Sequence, residues 1–591
     1  MDVALVSMPW AIFNRPSIQL AALQAYLDRE LPQIRTVSLH PYLEIAAAVG
    51  LDNYRMIAEN TWAAEALYCG LLFPEQKKQA AEVYRRSMRG CRTPLYSDLL
   101  LTLEQQMEQW LGNQDLTSCR LVGFTVCFSQ LPSSLYAAKM VKKHYPHLHV
   151  VFGGSTCTPE LGASLLTTCA DIDFVITGEG ERPLANLTDH LLTGAPLQPE
   201  NILSRENTGL VPVSADREIP RLSDLPLPDY RNYFEQMKGV GLDFIPVLPL
   251  EFSRGCWWNK CTFCNLNLQW KGYRSKKSGQ VLGELAAMIK EYQVLDFTFT
   301  DNALPPGEAD RFFAATADSG LDLNFFGEIR TLKKSKTYRA YQKGGLRSVQ
   351  VGIEALSDSL LKRMCKGTTV MDNLAAMKFS LAAGMVLDGN LILEFPGSTR
   401  KEVEETLTIL ELALPFRPLS GAGFFLGHGS PVCNNPEKYG IRSLVAHPLN
   451  RKLYPRHILD QLEMLIKSYR GDRTIQKKLW QPVRAKIREW QDFHRTRSNS
   501  ALPALGYRDG GTFLVIRQEL PGSRPLHHRL RGLSRKIYLA CEEPVAVTML
   551  AEQFSGIAKD RLMAFLRDLE QKKLVYCNET SCLALAVRAP R

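Results

Sequence analysis

The 591-residue chain is long enough for about three or four domains at roughly 150 residues each. Its 45% apolar and 22% charged residues are those of a globular protein, and no apolar run nears the roughly 18 residues of a membrane-spanning helix. The formal net charge of +10 is spread through segments such as KKSKTYR and RPLHHRLRGLSRK, so it does not choose between nucleic acid, an acidic peptide and a solvated surface. Fourteen cysteines are too dilute for a disulfide scaffold, and most, such as Cys127 and Cys541, sit singly in apolar contexts that read as core. MDVALVSMPW lacks a basic leader and reads as a first strand, which predicts a cytoplasmic protein.

Through the first two hundred residues, β-branched runs alternate with helical patterns, the form of a parallel sheet built from strand–helix–strand units. Strands are predicted at Val3–Met8, Ile34–Leu39, Leu121–Val126, His149–Gly154 and Asp173–Gly178. All but the second precede a plausible helix. An insertion at about 43–118 carries apolar residues at helical spacing and predicts packed helices over one end of the sheet.

Ligands of such sheets bind beyond the C-terminal strand ends, where glycine lets backbone approach a bulky group. A lone GG after a strand can also do no more than end it tightly. Here Ser129, Ser133 and Ser134 follow the third strand, Gly153 and Gly154 the fourth, and Gly178, Glu179, Gly180 and Glu181 the fifth. Together these loops resemble the cobalamin-binding Rossmann-like domain, in which they contact the corrin and hold the nucleotide tail. The D-x-H-x-x-G motif that ligates cobalt from below in some members is absent from the sequence. The resemblance therefore implies cobalamin bound without that histidine, with Met8, Pro9 and Trp10 nearest its lower face.

REIPRLSDLPLPDYRNY marks a linker, and VLPLEFS after it is a strand leading into RGCWWNKCTFCNLN. Zinc commonly takes four ligands as two close pairs, whereas Cys256, Cys261 and Cys264 form one compact trio. Thiolates also hold iron–sulfur clusters, and three would leave one iron of a 4Fe–4S cluster open. CWWNKCTFC resembles a one-residue expansion of the C-x-x-x-C-x-x-C signature of radical S-adenosylmethionine (SAM) enzymes. The wider string, with the N-terminal organisation, is similar to cobalamin-dependent radical SAM C-methyltransferases of ribosomal-peptide maturation.

That resemblance implies a partial (β/α)6 barrel with its site at the C-terminal strand ends. Asp301 and Asn302 end one strand, Glu328 and Arg330 the next, Gln350, Gly352 and Glu354 the one after. In the family's terms Asp301 and Asn302 meet the SAM ammonium, carboxylates suit the ammonium and the ribose hydroxyls, Arg330 suits the substrate carboxylate, Gln350 belongs to the same SAM-binding row, and Phe263 neighbours the adenine. Any one of them reads equally well as a cap or a surface group. GNLILEFPGS departs from the family's G-F-P-G-E at Glu394 and Ser398, and no role is carried onto either. Trp257 and Trp258 are candidates for shielding the cluster or for packing at the barrel mouth.

After about His428 the pattern fades into charge-rich helices such as LYPRHILDQLEMLIKSY, and the last segment reads as three helices and a small β-wing. A winged helix of this kind suits nucleic acid, capture of a peptide strand, or packing alone. The predicted class is thus α/β: a Rossmann-like cobalamin domain at 1–200, a linker at 201–245, a radical SAM barrel at 246–430 and a helical, winged-helix-like region at 431–591. The resemblance implies methylcobalamin, a 4Fe–4S cluster and SAM as cofactors. It also implies a precursor peptide as substrate and an electron donor such as flavodoxin or ferredoxin, without membrane or nucleic-acid partners. The implied reaction is hydrogen abstraction by a 5′-deoxyadenosyl radical, then methyl transfer to the substrate carbon. Alternatives are a cobalamin-dependent radical enzyme acting on a free small molecule, an RNA-modifying enzyme, and a cobalamin or iron–sulfur sensor that binds DNA.

Overall fold

The Val- and Leu-rich runs at the start of the chain have no polar face, so they require cover on both sides, as in a parallel sheet flanked by helices. A computed structural model describes residues 1–207, 218–497 and 501–589. In it β1 (Val3–Ser7), β2 (Thr36–Leu39), β3 (Leu121–Thr125), β4 (His149–Gly153), β5 (Phe174–Ile176) and β6 (Ile202–Ser204) form one sheet in the order β2-β1-β3-β4-β5-β6. β1 to β5 run parallel and β6 closes the edge antiparallel. One strand of the predicted linker, β6, thus belongs to this sheet; Arg217 lies outside the described residues. The strand order reverses between β1 and β3, the place where such sheets open a crevice.

Helices α1 (Ile18–Glu30), α2 (Tyr42–Val49), α3 (Leu51–Ala58), α4 (Thr61–Leu72), α5 (Lys77–Ser87), α6 (Tyr96–Gly112), α7 (Leu131–His144), α8 (Pro159–Thr168) and α9 (Glu181–Thr193) follow in turn. α2 to α6 are the insertion. Its buried Tyr42, Tyr54, Tyr68, Leu103 and Met107 share one core with Trp10 and the sheet.

A second parallel sheet has the order β13-β12-β11-β10-β7, from β7 (Leu248–Leu250), β10 (Asp296–Phe299), β11 (Asn324–Ile329), β12 (Leu346–Val351) and β13 (Val386–Asp388). Between β7 and β10, the short β8 (Ser253–Arg254) and β9 (Arg274–Ser275) pair antiparallel. β14 (Asn390–Leu393) and β15 (Ser420–Gly423) extend the curve, tied to it by a bridge from Glu354 to Leu391. This is the partial barrel. Along β11, Phe325, Gly327 and Ile329 are buried while Phe326, Glu328 and Arg330 alternate with them, so the latter three share the other face. The register sets Glu328 beside Gln350, and Gln350 beside Asp388.

β16 (Leu426–Gly427), β17 (Ser443–Ala446) and β18 (Ile466–Arg470) form a small antiparallel sheet. The segment expected as a helix, LYPRHILDQLEMLIKSY, is instead two single turns, Asn450–Leu453 and Arg456–Leu459, followed by β18. Pro455 separates the turns, and β18 pairs with strands on both sides. Further on, β19 (Leu505–Asp509), β20 (Phe513–Gln518), β21 (Leu526–Arg531) and the terminal β25 (Val587–Arg588) make a four-stranded sheet. Against it lie helices Gly532–Ala540, Val547–Gln553 and Lys559–Gln571, with β22 (Val545–Ala546), β23 (Val575–Cys577) and β24 (Ser581–Ala584) as a three-stranded wing. No helix among the described residues is long and apolar enough to cross a membrane.

Candidate functional site

The crevice of the first sheet holds a cavity of ≈ 220 Å³. Its rim includes Gly153, Gly154, Gly178 and Gly180; its walls include the aliphatic Leu5, Leu23, Val151 and Ile176. The glycines are there for different reasons. Gly154 has φ +104°, and a Cβ on it would lie 2.9 Å from the Val126 backbone, so the turn itself demands glycine. Gly153 has no such constraint, because its nearest neighbour to an added Cβ is 3.8 Å away. What its missing side chain leaves is open cavity.

The opposite wall comes from the barrel, through Glu251, Ser253, Arg254, Trp270 and Thr300. The predicted Glu179 and Glu181 border the cavity, but their carboxylates are turned to the barrel's arginines. Arg254 Nη2 donates to Glu181 Oε1 at 2.6 Å, and its Nη1 lies 3.2 Å from Glu179. Burial opposes the Glu179 charge, yet Arg254 and the Arg274 hydrogen bond outweigh it and hold its pKa below the usual carboxylate range.

Met8, Pro9 and Trp10 do not border this cavity. Trp10 is 4% exposed, donates from Nε1 to Ala64 O at 3.1 Å and packs on Tyr54 and Tyr68. The helical insertion supplies that apolar surface, which captures the indole. Ser133 and Ser134 are likewise interior, Ser133 donating to the carbonyls of Pro9 and Gln130. Ser129, at φ +68°, borders a smaller cavity of ≈ 40 Å³ with Trp62, Glu65 and Tyr454. Burial pushes the Glu65 pKa up to about 7, against a hydrogen bond from Tyr454.

The second part of the site lies two residues beyond Arg254. Cys256, Cys261 and Cys264 are part-exposed on one loop, close enough that the charge of Cys256 acts on Cys261 and those of Cys256 and Cys261 on Cys264. Burial raises the Cys261 pKa and lifts Cys264 to about 11. Among the described residues, no three His, Cys, Asp or Glu side chains are arranged around a single metal ion. The loop is held from outside by the segment after helix Asp358–Arg363. The Thr262 amide donates to Met364 O (3.0 Å) and Trp258 Nε1 to Cys365 O (2.9 Å).

Arg330, just past the end of β11, reaches this loop. Its guanidinium lies 4.3 Å from the Trp258 ring centroid and 5.4 Å from that of Trp257, hydrogen-bonds toward Cys261 and donates to Lys366 O. Trp257 donates from Nε1 to Leu304 O at 3.3 Å. Both tryptophans therefore pack at the barrel mouth while carrying the arginine. Glu328 has its pKa pushed up to about 7 by burial and then by the Glu354 charge. Asp301, also pushed up to about 7 by burial, accepts hydrogen bonds from the Phe252 amide (3.0 Å) and the Ser253 hydroxyl, so its carboxylate already braces the start of the cysteine loop. Asn302, part-exposed beside it, is also engaged in a polar or electrostatic contact.

Lys366 is the residue sequence reading missed. It is 7% exposed, its Nζ donates to Glu354 Oε1 at 3.1 Å and lies 5.9 Å from the Phe263 ring centroid, and its charge acts on Cys261 and Cys264. Gly352 lies beside it, with an added Cβ 2.4 Å from Nζ. In sequence, RMCKG reads as an ordinary helix end; only the fold of Gly367 against Trp258 brings it to the thiols.

Residues 250–410 match the model of the radical SAM superfamily, so this chain carries a radical SAM domain. An uncharacterized methyltransferase of Pyrococcus horikoshii is 33% identical over 298 residues, which are 49% of this chain and 63% of that protein. An anaerobic magnesium-protoporphyrin IX monomethyl ester cyclase of Rubrivivax gelatinosus is 25% identical over 48% of this chain and 53% of its own length. The chain thus spans between about half and 63% of these relatives' lengths. In fold it is similar to the radical SAM methyltransferase TsrM of Kitasatospora setae, whose structure has cobalamin and a 4Fe–4S cluster bound. The TM-score is 0.56 at 15% identity, over 84% of this chain and 92% of that one.

Proposed function

We propose that the protein is a cobalamin-dependent radical SAM methyltransferase that methylates an unactivated carbon, with a ribosomally made precursor peptide as substrate. The observation that carries this reading is the shared wall: the glycine-rimmed cavity of the first sheet is closed by β8, the strand that leads directly into Cys256. A solved methyltransferase of the same fold has cobalamin and a 4Fe–4S cluster bound, and a relative is named as a methyltransferase.

The residues fit these groups. Three part-exposed thiols gathered on one loop suit three corners of a cluster with a fourth iron open. An aliphatic slot with a glycine rim suits a large cofactor that buries an apolar end and rests on backbone. When bound, the cluster supplies the electron that cleaves SAM and cobalamin supplies the methyl group.

The chain's own part is positioning and electrostatics. Arg330, stacked on Trp258 and tied to the Lys366 carbonyl, presents a guanidinium for a carboxylate beside the cysteine loop. Glu328 and Glu354 offer acceptors to an ammonium or to ribose hydroxyls, with Gln350 between β11 and β13 completing the row. Lys366 holds Glu354 in place through an ion pair at 3.1 Å. Asp301 holds the Phe252–Ser253 backbone that carries the first thiol. Phe263, beneath Lys366, offers a face for adenine.

Anaerobic protein loaded with cluster and cobalamin, given SAM, a flavodoxin- or ferredoxin-class electron donor and candidate peptides, tests the proposal. It is expected to release both 5′-deoxyadenosine and S-adenosylhomocysteine with a peptide gaining one methyl mass. Absence of both products with every peptide sinks the peptide reading; failure to retain cobalamin sinks the whole. A free small molecule is the second reading, since one relative is named for a reaction on a porphyrin ester.

A further inference from the structure

We propose that Arg254 and Arg274 pin the Gly178–Glu181 turn of the first sheet to the cysteine loop, and that Glu179 and Glu181 serve this pin as positioning residues. Arg254 is 7% exposed and spends its guanidinium on three carboxylates: Glu181 at 2.6 Å, Glu179 at 3.2 Å and Glu251 at 2.8 Å. Two of these belong to the first sheet's turn and one to the barrel. Arg274, on the paired strand β9, meets Glu179 at 2.5 Å and Glu218 at 3.5 Å. The Ile219 amide donates to the other Glu179 oxygen at 2.7 Å, so this carboxylate is gripped on both sides.

The pin acts on a part of the chain that has no slack. Gly255, between Arg254 and Cys256, has φ +81°, and a Cβ on it would stand 2.5 Å from Gly272 O. β8 and β9 therefore cross at one fixed closeness, and the position of Glu181 is passed to the first thiol through two residues. A lysine presents a point charge and does not replace a fork bonded to carboxylates from two sheets. Removal of one partner leaves buried charge uncompensated, which a buried network tolerates poorly.

The consequence, which rests on the function proposed above, is a fixed spacing between cluster and cobalamin. Transfer between bound groups is sensitive to displacements of about 1 Å. Glu181→Gln keeps the side chain's shape and is the gentle variant; Arg254→Lys is the severe one. In the cofactor-free full-length chain, Glu181→Gln is expected to speed amide hydrogen exchange across the boundary, at residues 253–256 and 273–276, by about tenfold. A change confined to residues 178–184 overturns the pin. In loaded protein, pulsed EPR of the dipolar coupling between cob(II)alamin and the reduced cluster is expected to give one narrow distance for the native chain and a broadened or shifted one for both variants. The ratio of S-adenosylhomocysteine to 5′-deoxyadenosine should fall about tenfold alongside. A native distance distribution in Arg254→Lys, or in both variants, overturns the proposal. Should the native chain retain no cobalamin, the methyltransferase reading fails, while hydrogen exchange still decides the pin.

Discussion

At the mouth of the first sheet, Gly153, Gly154, Gly178 and Gly180 leave backbone and aliphatic walls around a cavity of ≈ 220 Å³. At the barrel mouth, three thiols, Glu328, Arg330, Glu354 and Lys366 crowd ionisable groups around a loop braced by two tryptophans. The charges nearest the first cavity are spent on one another, Glu179 and Glu181 against Arg254. Shape and exclusion of water select the occupant of the first mouth; charge and hydrogen-bond direction select that of the second. The two mouths call for different kinds of substitution to disturb them.

The largest effect is expected where one ligand is all or nothing. Cys261→Ala should abolish the iron–sulfur absorbance after anaerobic reconstitution and lower SAM cleavage by about a thousandfold or more, while cobalamin retention stays native. Loss of cobalamin as well would erase the distinction between the mouths. Filling the first mouth comes next. Gly153→Leu has room for its Cβ, with 3.8 Å to the nearest atom. It should weaken cobalamin retention by about tenfold or more, with cluster content unchanged and a melting temperature within about 2 °C of native. Native-like retention would show that the cavity is not the cofactor's seat.

Lys366→Met should raise the apparent KM for SAM by about tenfold with cluster content preserved, because Glu354 loses its partner while the backbone carbonyl that holds Arg330 stays in place. An unchanged KM would separate Lys366 from the site. The smallest effect is on pH. The Glu328 pKa rises from 4.5 unfolded to about 7 folded, so the fold retains a proton that the unfolded chain releases. Stability from this group is therefore lost as pH rises from about 4.5 to about 7, by on the order of 3 kcal/mol, and levels off above. Glu328→Gln should flatten that slope in urea titrations of the cofactor-free protein; a slope unchanged by the substitution would place the titration elsewhere.

Much of the fold was legible because strand hydrophobicity has a short period. All five predicted N-terminal strands occur, as do the helices of the insertion and the strands that end near Asp301, Glu328 and Gln350. LYPRHILDQLEMLIKSY misled because its apolar spacing suits a helix, while Pro455 and pairing on both sides of β18 favoured turns and a strand. Met8, Pro9 and Trp10 follow a strand end as a ligand loop would, yet Tyr54 and Tyr68, more than forty positions away, supply the surface that buries Trp10.

The spacing of Cys256, Cys261 and Cys264, the glycine turns and the strand-end polar groups are local properties, written in runs of a few residues. They suffice to assign an α/β chain with a radical SAM loop. Which carboxylates face a cofactor and which face an arginine is a matter of long-range packing. Glu181 and Arg254 are 73 positions apart, and RMCKG meets the cysteine loop about a hundred positions away. A chain's local pattern carries no record of such meetings; they exist only once two sheets and their cores have closed on each other.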